Sequence, residues 1–189
     1  EVSYTYGGDL EAELYNLQAG AGNLSLAHQW RETYGANLVA LLVDTGSSSD
    51  TAGMAFLLTD TAGQPDYAFS VSAVRSVDIS HTLTHEAGHN LGCTHSKDQL
   101  VNPGPNTALN TYSAGWYFTG TNSVPYHTIM AYGNDGHGNT YTEAPLFSTP
   151  LRSYQGTVAG CSVNGDNART INETKGVVSA YRSGGSVTP

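Results

Sequence analysis

The sequence predicts an α/β chain of the α+β kind, in which helices and strands make up the first half and a loop-rich second half closes on one helix. Three observations predict it. Apolar residues recur at helical spacing in two early segments, and short apolar runs bounded by Gly, Pro, Ser and Asp follow. Glycines and prolines then punctuate Asn102 to Pro150 until a capped helical pattern resumes near the end.

Taken in order, Leu10, Leu14 and Leu17 share one face and predict a helix over Leu10 to Leu17, with a second over Leu24 to Tyr34. Leu38 to Asp44, Met54 to Thr59 and Tyr67 to Arg75 are apolar or alternating runs, and they read as three strands. A helix starts near Ser80. A last one, capped by Asp166 or Asn167, covers Ala168 to Tyr181. No internal repeat and no second core is visible, so residues 1–182 form a single domain. Its upper part runs to about 95 and its lower part from about 96 to 182, and 183–189 is a flexible tail.

The chain has 189 residues, enough to bury a core without external staples. Its net charge of -9 repels phosphate backbones and anionic membranes, which argues against nucleic acid as a partner. The longest apolar run, Leu38 to Val43, falls far short of the ~20 residues that span a bilayer, so no membrane segment is expected. The chain opens on Glu1 without a basic and apolar leader, and it reads as a processed, exported product. In an exported chain two cysteines favour pairing. A Cys93–Cys161 disulfide is therefore expected, worth about 4 kcal/mol in the chain-entropy model.

The segment HEAGHNLGCTH, residues 85 to 95, concentrates three of the seven histidines. On a helix turning about 100° per residue, His85 and His89 lie one turn apart on one face and can converge on one ion. Were the helix to continue, His95 would point roughly 240° away from His89. The helix must stop, and Gly92 is the residue that can stop it, because glycine enters the left-handed region without a Cβ penalty. His95 can then return as third ligand. Three neutral imidazoles with an open fourth position suit a catalytic zinc. Glu86, beside the ligands, is the carboxylate that a zinc-activated water requires as its base. Shuffling this composition would produce the spacing in about 4 of 100,000 sequences, so chance explains it poorly. The other class of reading is a zinc-containing binding module that has lost turnover, and the intact Glu86 speaks against it. Calcium remains open among the Asp and Asn side chains, although no EF-hand spacing occurs.

The pattern His85, Glu86, His89, Gly92, His95, with the methionine of TIMAYG at Met130, resembles the metzincin zinc peptidases. Within them it is most similar to the reprolysin-like branch and to bacterial peptidyl-Asp metallopeptidases, through YGANLVALLVD, YAFSVSAVR, FSTP and DNAR as well. The resemblance implies a twisted, mostly parallel sheet with an antiparallel edge strand in an upper subdomain, above a lower subdomain ending in a helix. It implies a secreted zinc endopeptidase acting on protein or peptide substrates, with an upstream segment or propeptide as a further partner. It places Met130 as packing beneath the metal and Tyr132 as a residue that ligates zinc at rest or donates a hydrogen bond in the transition state. It also implies that Gly133 to Tyr154 builds the wall of the P1′ pocket. Arg152 there favours an acidic substrate residue and Glu143 a basic one, with the balance leaning to acidic.

Overall fold

Asp9 starts the first helix. Its carboxylate accepts a hydrogen bond from Glu11 N at 2.9 Å, satisfying one of the amides that a helix start leaves over. Helix α1 runs Leu10–Ala19 and ends where Gly20 takes φ +66°, a left-handed cap. Helix α2, Ser25–Tyr34, ends in the same way at Gly35. The structure is a computed structural model that describes residues 2–46, 51–77, 79–105 and 109–182. The expected flexible tail, 183–189, lies outside the described residues.

Three strands follow: β1 (Val39–Val43), β2 (Gly53–Ala55) and β3 (Phe69–Ala73). They form a mixed sheet in the order β1-β3-β2, with β1 parallel to β3 and β2 antiparallel to it at the edge. The central strand β3 is buried at every position, and Ser70 and Ser72, which alternate with Phe69, Val71 and Ala73, are small enough to be buried with them. All three strands are shorter than the sequence suggested, β1 by only one residue at each end. β2 ends at Ala55, and a single helical turn, α3 (Val74–Val77), replaces the expected strand end at Arg75. Helix α4, Thr82–Asn90, packs on β2 and β3.

The chain divides into two compact units. The first takes in the chain to Phe56, Ala62–Asn90 and the end from Gly176, and its core joins Leu10, Leu14, Leu17 and Leu24 to Val43, Phe69 and Val71. Burying a Leu or Phe of this kind stabilises by roughly 1.5–3 kcal/mol. At the end of α4 the buried amide of Asn90 donates to Phe56 O at 2.8 Å and Phe69 O at 3.0 Å, tying the helix to the sheet. Asn90→Ala removes both donors and leaves their carbonyl partners short. Chemical denaturation is expected to read a loss of about 1–3 kcal/mol.

The second unit comprises Leu57–Thr61 and Leu91–Lys175. Strands β4 (Tyr117–Thr119), β5 (Pro125–Thr128) and β6 (Thr142–Ala144) form a sheet in that order. β5 is antiparallel to β4 and parallel to β6. A hairpin of β7 (Ser153–Tyr154) and β8 (Thr157–Val158) precedes helix α5, Asn167–Val178. Phe118, Tyr126, Ala144 and Ala159 make one apolar cluster, and Cys93, Ile129 and Met130 another.

The expected Cys93–Cys161 disulfide is not formed. Cys93 is fully buried against Ile129 and Met130, with Sγ 3.6 Å from Asn167 O. Cys161 instead sits in a tight turn of its own, where its amide donates to Gly165 O. The Cys93 side chain is thus a core group, and burial pushes its thiol up, away from the reactive thiolate. Among the described residues no helix is long and apolar enough to cross a membrane.

Candidate metal centre

Helix α4 carries His85 and His89 one turn apart, with ring centroids at 4.9 Å and planes inclined by 78°. Glu86 follows His85 and is only 5 % exposed. Burial pushes its carboxyl up to about 8 in the metal-free chain, and a nearby cation acts in the opposite direction. The helix ends at Asn90, and Gly92 takes φ +87°. This conformation is what calls for glycine, whereas the 2.8 Å approach of a Cβ to Leu109 Cδ1 could be relieved by the movable end of that side chain.

Past this turn, Thr94 is fastened on several sides. Its amide donates to Ser113 O at 2.8 Å, and its carbonyl accepts from Gly115 N at 3.0 Å and Asn167 Nδ2 at 3.1 Å. Ser148 supports the same region, donating to Ala114 O at 2.6 Å and accepting from Asn167 N at 2.9 Å. The FSTP and DNAR segments are therefore parts of the clasp that sets the chain next to His95.

The His95 ring is oriented by a carbonyl. Nδ1 lies 2.9 Å from Asn102 O, and because a carbonyl only accepts, Nδ1 carries the proton and Nε2 presents its lone pair. Asn102 reaches this position with φ +47°, a conformation that asparagine tolerates better than most residues. Gly104 packs so closely that a Cβ would lie 2.2 Å from His95 O. Asn102→Gly is expected to leave zinc affinity unchanged. Asn102→Val, a β-branched residue in the left-handed region, should strain the loop and weaken zinc binding about tenfold in a competition titration with a chromophoric chelator.

One ligating nitrogen from each of His85, His89 and His95 can be chosen so that all lie within 4.8 Å of one another. All three side chains are half-buried. Burial lowers the pKa of His95, against an opposing hydrogen bond to Asn102 O, and so favours the neutral imidazole that ligates a metal. An all-imidazole set of three fits zinc with a position left for chemistry.

The remaining residues singled out in the sequence are placed as follows. The Tyr132 ring lies against that of His95, with centroids at 4.7 Å and planes tilted by 52°; its amide donates to Gln99 Oε1, and its carbonyl accepts from Tyr117 OH. Met130 is fully buried beside Cys93 and Ile129. Glu143 is half-buried in β6, paired in register with His127, whereas Arg152 is exposed just before β7. Sequence reasoning missed Gly53, Asn90 and Asn102. Gly53 borders the run Met54 to Thr59 that was read as a strand, and it gave no signal there beyond that of a bounding glycine.

A helix bearing two histidines and a buried glutamate, followed by a third histidine beyond a glycine turn, defines the class of site: a trio of imidazoles on a mixed α/β fold that could hold a metal ion. A family model described as metallo-peptidase family M12, of reprolysin type, matches residues 4–148, and the chain belongs to that family. It is similar to the peptidyl-Asp metalloendopeptidases of Stenotrophomonas maltophilia strains R551-3 and K279a. Identity is 25% over 182 residues and 24% over 185, each alignment taking in 96% of this chain and 40% of the relative. A zinc metalloproteinase/disintegrin of Bitis gabonica is 33% identical over 100 residues, 47% of this chain and 30% of that protein. The chain thus spans 40% of the length of the peptidyl-Asp relatives it matches. A solved structure titled as that of a chaperone-substrate complex matches with TM-score 0.60 at 15% identity, over 97% of this chain and 26% of that one, which is a likeness of fold.

Proposed function

We propose that residues 1–182 form the catalytic domain of an exported zinc endopeptidase of metzincin, reprolysin-like type. The observation that carries this reading is the convergence of His85, His89 and His95, with ligating nitrogens within 4.8 Å, next to the buried Glu86. His85, His89 and His95 hold the zinc, which when bound supplies Lewis acidity toward a peptide carbonyl and a water molecule. Glu86 accepts the proton of the attacking water and returns it to the leaving amine. Tyr132, whose ring lies tilted against that of His95, donates a hydrogen bond to the oxyanion as it develops. Met130 fills the core of its unit and leaves ligation to the imidazoles, since thioethers suit softer metals.

The substrate class extends the same reading. Two relatives are named for cleavage at Asp, and the exposed guanidinium of Arg152 supplies a cation in the stretch assigned to the P1′ wall. Because Arg152 is exposed, the preference is modest. Matched peptides differing only at P1′ test the proposal. Asp is expected to be cleaved about two- to fivefold faster than Leu, the scale of one exposed ion pair. A preference for Lys would overturn the acidic reading in favour of Glu143, equal rates for Asp and Leu would remove Arg152 from the pocket, and no cleavage of any peptide would count against the peptidase itself.

A further inference from the structure

The edge strand β2 has one feature that neither its conformation nor its pairing requires. Gly53 lies in the antiparallel ladder opposite Ser72 and adopts ordinary extended backbone, without the positive φ that calls for glycine. Glycine inside a strand costs conformational entropy and packs no side chain, so its use there marks a close approach by something else. Here that something is Glu86. A Cβ built on Gly53 would lie 2.6 Å from Oε1, 2.8 Å from Cγ and 2.9 Å from Cδ of Glu86.

We propose that Gly53 is a positioning residue for Glu86, its missing side chain forming the seat in which the carboxylate-bearing arm lies; this rests on reading Glu86 as the general base. Contact at three atoms in succession, from Cγ to Oε1, means that the arm lies along the glycine rather than touching it with its tip. A small turn of the carboxylate therefore cannot make room for a methyl group, and the whole arm must swing. Strand alternation agrees with this direction. Met54 packs against the apolar core of its unit, and Gly53, one residue earlier, faces the opposite side of the sheet, toward α4.

The test is a double-substitution cycle on the zinc-loaded protein, read by kcat and KM on one peptide, by zinc stoichiometry, and by the thermal midpoint after metal removal. Gly53→Ala is expected to lower kcat roughly 10- to 100-fold, the scale of an ångström-sized displacement of a reacting group, with zinc content unchanged and KM within about twofold. In a Glu86→Asp background, where the arm is one methylene shorter, the same replacement is expected to cost less than about threefold, because the two sites are coupled. Multiplying effects in the double variant would overturn the proposal and place the new methyl group against the substrate. An unchanged kcat in Gly53→Ala would overturn it as well.

The midpoint needs no turnover. Gly53→Ala should lower it in the parent chain and leave it nearly unchanged in Glu86→Ala, and equal shifts in both would count against the seat. If Gly53→Ala does not fold, Gly53→Ala with Glu86→Ala should restore folding, and failure to do so again overturns the proposal. Retained turnover in Glu86→Gln would instead refute the base assignment, and the midpoint cycle distinguishes the two failures.

Discussion

Glu86→Gln is expected to keep zinc content unchanged and slow peptide hydrolysis roughly 10²- to 10⁴-fold, the contribution typical of a general base and acid. The amide has nearly the shape of the carboxylate, so it fits the same buried place beside His85. What it lacks is the ability to take a proton and give it back. Kinetics on a peptide, together with metal analysis of the same sample, measure both quantities. Turnover within a few-fold of the parent would sink the base assignment. Loss of zinc would show instead that Glu86 supports the ligands, and the kinetic loss would then say nothing about proton transfer.

Chelation is expected to abolish activity while leaving most of the fold intact. The principal apolar cluster, Leu10 through Val71, does not include the three histidines, and Asn90 ties α4 to the sheet by protein groups alone. The far-UV circular dichroism should therefore survive, while the unfolding midpoint falls by what zinc binding contributes through mass action. Added zinc should restore activity. Unfolding in the chelator would point to a structural metal, as in small domains whose folding energy is metal-binding energy, and would favour a zinc-containing binding module.

Local and strongly periodic features were the ones legible in the sequence. Leu10, Leu14 and Leu17 announce α1, and the four-residue interval between His85 and His89 announces two imidazoles on one helical face. The glycine turn could be anticipated because continuing the helix would carry His95 away from its partners. Strands β4 to β8 were illegible because they are two to four residues long, too short for a period to register. Asn102 and Gly53 were illegible for another reason. Their importance lies in what touches them, His95 in one case and Glu86 in the other, and such contacts are set by tertiary packing. The disulfide misled because parity and expected export say nothing of where two sulfurs point. Cys93 points into a core, and Cys161 belongs to a separate turn.

The turn at Gly92 bears on how a metal ion is captured. Two imidazoles on one rigid helix form a bidentate claw that needs almost no rearrangement, and the third is tethered to it by only the stretch Asn90 to Thr94. A short tether gives the third donor a high effective concentration, so once two donors have bound, closure of the chelate ring costs little entropy. The clasp of Thr94 by Ser113, Gly115 and Asn167 fixes the backbone beside His95 within its own unit. An imidazole that lets go of an ion held there would remain close to it on so short a tether, which favours rebinding over loss.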